Sequence, residues 1–193
     1  MGTAARGRAF AVGLVTACTI AVAGCSADPD DQPTEATPSS PTPTDDQTKP
    51  PGNQVTEPTL PADAEGSSIR SAKAFVGYYI DLLNYASVTG DTKAFDQVAA
   101  PACRLCADYS NLFDSIWDDG GFLRSDGMSI ERLGVTFTDS RSTALSLVVR
   151  AARTRLKESA QEEPSVAPPK RIYFAIEIAQ AAASWRVTRF ETT

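Results

Sequence analysis

The hydrophobic pattern of this 193-residue chain changes its period once, and the change limits the folds that the chain can adopt. Between residues 69 and 117 apolar side chains recur every three to four positions, which is the period of an α-helix. From Leu133 onward apolar and polar side chains alternate, which is the period of a half-buried strand. Helices followed by an antiparallel meander predict an α+β domain whose helices pack on one face of the sheet.

Three helices are predicted from their caps and breakers. The first begins at the Ser67-Ser68 pair and ends at Gly90. Asp91 caps a short second helix, and the third extends from Pro101 to the Gly120-Gly121 pair. All three lie in the first half of the domain, before the alternating segments begin.

The second half of the domain predicts strands. The alternating segments are residues 133–137, 145–149, 172–178 and a last strand that begins at 185–187. Residues 138–142 and 157–169 are polar or rich in proline and are predicted to be connections. Residues 67–193 are therefore predicted to be a single α+β domain, with three N-terminal helices packed on an antiparallel sheet of four to five strands.

Residues 1–24 are predicted to be a lipoprotein signal peptide. Arg6 and Arg8 precede an apolar stretch of about 13 residues, whereas a helix that spans a bilayer needs about 20. The stretch ends in Val22-Ala23-Gly24-Cys25, which resembles the lipobox of bacterial lipoproteins. Lipid-modified Cys25 would anchor the chain to the extracytoplasmic face of the cell membrane, because two acyl chains of the palmitate type hold a protein stably. The alternative is an ordinary secretory signal followed by an incidental cysteine.

Residues 25–66 are predicted to be the lipidated Cys25 followed by a disordered tether rich in Pro, Thr and Asp. This segment has almost no large apolar residue, so it cannot bury enough surface to offset its ordering entropy. It carries nine acidic residues and one basic residue, whereas residues 67–193 carry 15 of each. An acidic tether and a neutral domain argue against a nucleic-acid partner, since nucleic acids attract basic surfaces.

Cys103 and Cys106 are the cysteine pair of the predicted domain. An even pair in an oxidising compartment predicts a disulfide, and a spacing of three residues on a helical turn brings the two Cα atoms within range. The position at a helix N-terminus also fits a redox-active pair, because the helix dipole lowers the thiol pKa. Free or metal-bound thiols are the third alternative.

The chain contains no histidine, which removes most common catalytic and metal-binding arrangements. Serine and cysteine nucleophiles that depend on a histidine base are excluded, as are imidazole metal sites. No glycine-rich phosphate loop is present either. The sequence therefore predicts no cofactor, no metal site and no identifiable catalytic residue.

Several short motifs resemble known families. Phe75-Val76-Gly77-Tyr78-Tyr79, Leu83-Asn84-Tyr85-Ala86 and Thr89-Gly90-Asp91 are similar to the opening of the nuclear transport factor 2-like cone fold. Together with Cys103-x-x-Cys106, the last two motifs resemble an actinobacterial lipoprotein family, domain of unknown function 6318. The resemblance extends over residues 67–190, and the family has an aromatic pair ending in Trp where this chain has two tyrosines. It implies a curved, cone-like domain on a lipid tether, and it brings no catalytic residues.

In catalytic relatives of the cone fold, an Asp and a Tyr near the open end perform acid–base chemistry. The polar residues of this chain in comparable places are Tyr78, Tyr79, Asp81, Tyr85, Asp108 and Tyr109 on the helices, and Arg150 and Glu177 on the strands. An exposed carboxylate at Asp81 is the simpler interpretation of that residue. Arg153 and Arg155 either mark a strand that emerges into water or form an anion site.

The expected function is a membrane-anchored domain of the cell envelope without catalysis, which binds a small apolar ligand or an envelope protein. The alternatives are a cone-fold isomerase or hydrolase, a thiol–disulfide oxidoreductase that uses Cys103 and Cys106, and a passive structural component. A hollow cone with one buried Asp would favour the enzyme. A filled cone would favour a partner-binding or structural role.

Overall fold

The computed structural model describes residues 55–182 and 184–193. The predictions for the signal peptide of residues 1–24, for Cys25 and for the tether up to residue 54 lie outside the described residues. Within the described part, no helix has both the length and the apolar character needed to cross a bilayer.

The three predicted helices are present as α1 (Ile69–Thr89), α2 (Lys93–Gln97) and α3 (Arg104–Asp118). The Ser68 hydroxyl oxygen accepts a hydrogen bond from the Ser71 amide at 3.0 Å, which satisfies one of the free N–H groups at the start of α1. α1 ends at Gly90, whose φ of 75° lies in the left-handed region that glycine adopts without strain. α3 begins at Arg104, three residues after the predicted start at Pro101, and Cys103 is its N-cap.

In the part of the chain that the structure describes, seven strands follow the helices. They are β1 (Phe122–Ser125), β2 (Met128–Thr138), β3 (Ser142–Ala151), β4 (Thr154–Lys157), β5 (Ser165–Ala167), β6 (Lys170–Ala181) and β7 (Ser184–Thr192). The main sheet is antiparallel in the order β2-β3-β6-β7, and a second small sheet has the order β1-β4-β5. The α+β architecture of three helices on an antiparallel sheet is therefore confirmed. The prediction that residues 157–169 form only a connection is wrong, since β4 ends there and β5 lies within it.

The main sheet is curved by irregularities in its ladder. The register of β2 against β3 shifts between Ile130 and Arg132 and again between Val135 and Phe137. A third shift lies between β6 and β7, next to Glu177. An extra residue on one strand bends that strand and increases its local twist. The inner face of this curved sheet packs on the helices and forms the core.

The packed structure begins before the predicted boundary at residue 67. Ala62–Ala64 form a turn of 3₁₀ helix, and Ala64 is fully buried in the core. The Gln180 side-chain amide donates a hydrogen bond to the Gly66 carbonyl at 3.2 Å. The end of the segment that the sequence assigned to the tether is thus held against the domain by the buried Ala64 side chain and by the hydrogen bond from Gln180.

Candidate functional site

Aromatic rings fill the interior between the helices and the main sheet. The ring of Tyr79 on α1 stacks on Phe95 of α2 with 5.0 Å between centroids. It meets Phe190 of β7 edge-on at 5.4 Å, and Phe190 stacks on Phe174 of β6 at 4.5 Å. All four side chains are almost completely buried. Buried aromatic rings therefore fill the interior of the cone between the helices and the main sheet.

Cys103 and Cys106 form a disulfide beside this aromatic cluster, with their Cα atoms 5.3 Å apart. Each cysteine is 1% exposed. The Tyr79 hydroxyl donates a hydrogen bond to the Cys106 sulfur at 3.1 Å inside the core. Because thiol–disulfide exchange requires that an attacking thiolate reaches a sulfur atom, this burial favours the structural interpretation of the pair.

Burial raises the pKa of three of the four tyrosines that were candidates for acid–base chemistry. Desolvation is the largest cause for Tyr79, Tyr109 and Tyr78 alike. The pKa of Tyr79 lies far above its ordinary value, so its hydroxyl keeps its proton at any physiological pH. Tyr109 stacks on Phe113 at 5.8 Å, which makes it part of the same packed layer.

The structure does not bring the candidate carboxylates to these tyrosines. Asp81 is exposed and lines a shallow groove of about 300 Å³ together with Tyr85 and the N-terminal segment from Val55 to Pro58. Partial desolvation raises the pKa of Asp81. Asp108 is exposed on α3, in a different groove. In the described part of the chain the buried polar residues are Ser71, Ser110 and Thr143, and none of them is a carboxylate.

The strand candidates lie on the outer face of the main sheet, away from the interior. Arg150 is 3.9 Å from the Glu131 carboxylate, and Glu177 is 3.2 Å from the Arg189 guanidinium. These are exposed ion pairs, which contribute little to stability. Arg150 and Glu177 are therefore not positioned to act together with the tyrosines of the core.

Arg153 and Arg155 do not continue the face of β3, which corrects the interpretation of a single strand emerging into water. β3 ends at Ala151, and the chain enters the second sheet at Thr154. The Arg155 guanidinium lies 5.8 Å from the centre of the Phe122 ring. This side chain therefore covers an aromatic residue of the small sheet.

The Leu83-Asn84-Tyr85-Ala86 motif has a structural explanation. The Asn84 side chain donates to the Met128 carbonyl at 2.9 Å and accepts from the Met128 amide at 2.8 Å, so it holds the start of β2 against α1. A Cβ at Gly127 would lie 2.8 Å from the Asn84 side chain. Likewise, a Cβ at Gly90 would lie 2.5 Å from the Trp117 ring. The motifs that resemble the family thus serve packing.

A surface groove lies between the start of α3 and the second half of β7. We call it the α3–β7 groove, and its volume is about 510 Å³. It is lined by Ala102, Arg104, Leu105, Asp108, Thr188, Arg189, Phe190, Glu191 and Thr192. Its charged residues carry both signs, and Arg189 lies 3.9 Å from the Glu191 carboxylate.

Sequence reasoning missed this groove. Arg104 and Leu105 stood in a motif that was considered only for its cysteines. Arg189 and Glu191 lay beyond the part of the last strand that the alternation indicated. Only the fold brings residues 104 and 189 together. The one sequence signal that pointed to the groove was the continuation of the last strand past Val187.

Among residues 55–182 and 184–193, no group of three or more metal-ligating side chains is present.

Several solved structures of other proteins are similar to this fold. The intermembrane space region of the chloroplast protein ARC6 is similar over 66% of this chain and 97% of its own, at 11% identity and a TM-score of 0.51. A protein described as a scytalone dehydratase from Novosphingobium aromaticivorans is similar over 64% of this chain and 85% of its own, at 9% identity and a TM-score of 0.43. A cystatin-like domain of unknown function from Nostoc punctiforme is similar over 66% and 78%, at 12% identity and a TM-score of 0.40. At 11% identity the likeness to the ARC6 region shows a shared fold alone.

No curated protein matches the chain. One family model matches residues 44–189, which include nearly the whole described domain. The match confirms the resemblance that the Leu-Asn-Tyr-Ala, Thr-Gly-Asp and Cys-x-x-Cys motifs indicated, on a cone-like α+β domain. The chain therefore belongs to the family of unknown function DUF6318.

Proposed function

We propose that this protein is a lipid-anchored component of the cell envelope whose domain binds a protein partner through the α3–β7 groove, without catalysis. The observation that carries the proposal is the contrast between a filled interior and an open groove. Tyr79, Phe95, Phe174 and Phe190 occupy the cone, whereas the groove offers about 510 Å³ at the surface. A volume of this size falls within the range of small-molecule pockets, so the composition of the lining decides between a ligand and a protein partner.

The composition of the groove supports a protein partner over a small apolar ligand. The groove is lined by apolar side chains and by four charged ones. The apolar residues are Ala102, Leu105 and Phe190, and the charged residues are Arg104, Asp108, Arg189 and Glu191. Small-molecule pockets are mostly apolar and enclosed, with only a few polar groups. A lining that mixes charged and apolar side chains is instead typical of a protein–protein interface, which has an apolar core and a polar rim.

The acid–base alternative has less support from the described residues. A general base must lie within hydrogen-bond reach of the group it serves. Asp81 and Asp108 are exposed, and neither is hydrogen-bonded to a tyrosine in the part of the chain that the structure describes. The thiol–disulfide alternative is disfavoured by the burial of Cys103 and Cys106.

The proposed anchor supports a role outside the cytoplasm. The Val22-Ala23-Gly24-Cys25 sequence after a short apolar stretch is typical of lipoproteins. A disulfide between Cys103 and Cys106 also fits an oxidising compartment. Both observations favour the extracytoplasmic face of the membrane as the place of action.

A site-specific photo-crosslinker in the full-length protein tests the proposal in intact cells. We expect a crosslinker at position 108 to give a defined protein adduct, because Asp108 lines the α3–β7 groove. Asn111 is the matched control, since it is exposed on the same helix and does not line the groove. Equal crosslinking at both positions, or no adduct at position 108, would contradict a partner-binding groove.

A further inference from the structure

The second half of β7 presents an open strand edge to the α3–β7 groove. β7 pairs with β6 through Glu177↔Arg189, Ala175↔Glu191 and Phe174↔Thr192. The Thr193 amide donates to the Tyr173 carbonyl at 3.0 Å. In an antiparallel ladder, hydrogen-bonded and non-hydrogen-bonded pairs alternate.

The alternation identifies the free backbone groups. Because Thr193 is bonded to β6, Glu191 and Arg189 are bonded to β6 as well. The N–H and C=O groups of Phe190 and Thr192 therefore point away from β6, toward the groove. Within residues 55–182 and 184–193, no hydrogen bond from outside the sheet reaches these groups.

The first half of the same edge already carries an added segment of the chain. Val187 donates to the Val98 carbonyl at 2.9 Å and accepts from the Ala100 amide at 2.7 Å. Ala99 forms a parallel bridge with Val187. The added segment then leaves the edge at Pro101 to enter α3. The fold thus covers the edge as far as Val187 and leaves it open beyond.

The two edges of the main sheet differ in how they are protected. β2, at the other edge, has two register shifts along its length. Such bulges turn an edge away from further pairing. β7 has one register shift, with Thr188 as the extra residue between Val187 and Arg189, and its register is regular from Arg189 to Thr192. The regular stretch lies beside the first turns of α3, so it forms one wall of a groove between a strand and a helix.

We infer that the α3–β7 groove binds an extended segment of the partner as an additional strand on β7. This inference rests on the proposed function and names the partner's conformation at the same site. Five residues of β7 line the groove, which corresponds to a peptide length of about 17 Å. Strand addition of this kind takes its affinity from main-chain hydrogen bonds and its specificity from alternate side chains.

The walls define the sequence pattern of the added segment. One face of an added strand meets the apolar side chains of Leu105 on α3 and of Ala102 just before it. The other face lies beside Arg189 and Glu191, on the outer face of β7. Since side chains of a strand alternate between faces, the bound segment has apolar residues at every second position and charged or polar residues between them.

Amide exchange in the full-length protein, measured residue by residue by NMR in detergent micelles, is the first test. We expect the amides of Phe190 and Thr192 to exchange at least about tenfold faster than those of Arg189 and Glu191, because only the latter are bonded to β6. Equal protection of all four amides would overturn the inference. So would protection of Phe190 and Thr192 by self-association at high concentration, which would assign the edge to a second copy.

The second test uses a phage-displayed library of random twelve-residue peptides, selected on the full-length protein. The expected peptides alternate apolar and polar residues and slow the exchange of the Phe190 and Thr192 amides by at least about tenfold. Thr192→Pro removes the outward N–H at a position where an edge strand tolerates proline, so we expect it to weaken peptide binding at least about tenfold. Thr192→Val keeps the N–H and is the matched control, with its thermal unfolding compared to that of the proline variant.

The outcomes separate this inference from the proposed function. Peptides that bind Thr192→Pro as well as the wild type, or a failure to select any peptide, would overturn strand addition. A partner that still crosslinks at position 108 in that case would leave the proposed function standing. Loss of both the crosslink and the peptide binding would overturn both.

Discussion

The contact between Tyr79 and the disulfide leads to a prediction about stability. Whether removing the Tyr79 hydroxyl destabilises or stabilises the protein should depend on the presence of the two cysteines. Replacing Cys103 and Cys106 with Ala opens a ring of four residues, which the chain-entropy model values at about 2 kcal/mol. It also removes the acceptor of the Tyr79 hydroxyl, which is fully buried. A buried hydroxyl without a partner costs about 1–3 kcal/mol. We therefore expect the double variant to lose about 3–5 kcal/mol of unfolding free energy.

Tyr79→Phe separates the two contributions. In the wild-type background this change removes one hydrogen bond to sulfur and is expected to cost at most about 1 kcal/mol. In the Cys-free background it removes the unpartnered hydroxyl, so it is expected to recover about 1–3 kcal/mol. The same substitution thus destabilises one background and stabilises the other.

The four proteins to compare are the wild type, the Cys-free variant, and each of these two with Tyr79→Phe. Their unfolding free energies are measured by guanidinium unfolding under non-reducing conditions, followed by tryptophan fluorescence. The m-values must agree for the free energies to be compared. Tyr109→Phe is the matched control, because Tyr109 is half-buried in the same layer and has no hydrogen bond to the disulfide. A Tyr79→Phe effect that is equal in both backgrounds within about 0.5 kcal/mol would refute the reasoning.

Three further predictions concern other parts of the chain. Cys25→Ser should release the protein from membranes, because the anchor would be lost; retention after a high-salt wash would contradict the lipoprotein proposal. Asn84→Leu removes both hydrogen bonds to Met128 and should cost about 2 kcal/mol by chemical unfolding, whereas exposed Asn111→Leu should cost little. The backbone amides of the turn that follows Asp139 lower the pKa of its carboxyl below the ordinary value of 3.8. The charged carboxylate therefore stabilises the turn above pH 3.8, and this stabilisation is lost as the pH falls through the folded-state pKa. A carbon-13 titration of Asp139 at or above its ordinary value would contradict this, and Asp139→Asn, which keeps the acceptor oxygen, should remove the pH dependence.

The sequence predicted the long elements well because their patterns are long. α1 has 21 residues, and β3 and β6 have at least ten each, so the apolar period is repeated several times. It did not predict β1, β4 and β5, which have three or four residues each. Phe122 pairs with Lys157, so β1 depends on a partner that is far away in the chain. Strands of this kind are fixed by tertiary contacts and leave almost no local pattern.

The candidate site was less predictable than the fold, and the cysteine pair shows why. Cys103-x-x-Cys106 was compatible with a structural bond and with a redox-active one. The difference lies in burial against Tyr79, which is 24 residues away from Cys103 in sequence. Likewise, Asp81 and Tyr85 had the right chemistry for acid–base work, but the fold places them at the surface beside Val55. Residue types fix what a site can do, and only tertiary placement decides which side chains meet.

Phe190 connects the two features on which the proposed function depends. Its ring stacks on Phe174 and meets Tyr79, so its side chain helps to fill the cone. Its backbone N–H and C=O point to the opposite side, into the α3–β7 groove, because Glu191 and Arg189 take the bonds to β6. A strand can therefore be added at this edge without any cavity in the interior. The filling of the cone fixes the position of Phe190 and so holds the open edge in a fixed geometry before the partner binds, which lowers the entropic cost of binding.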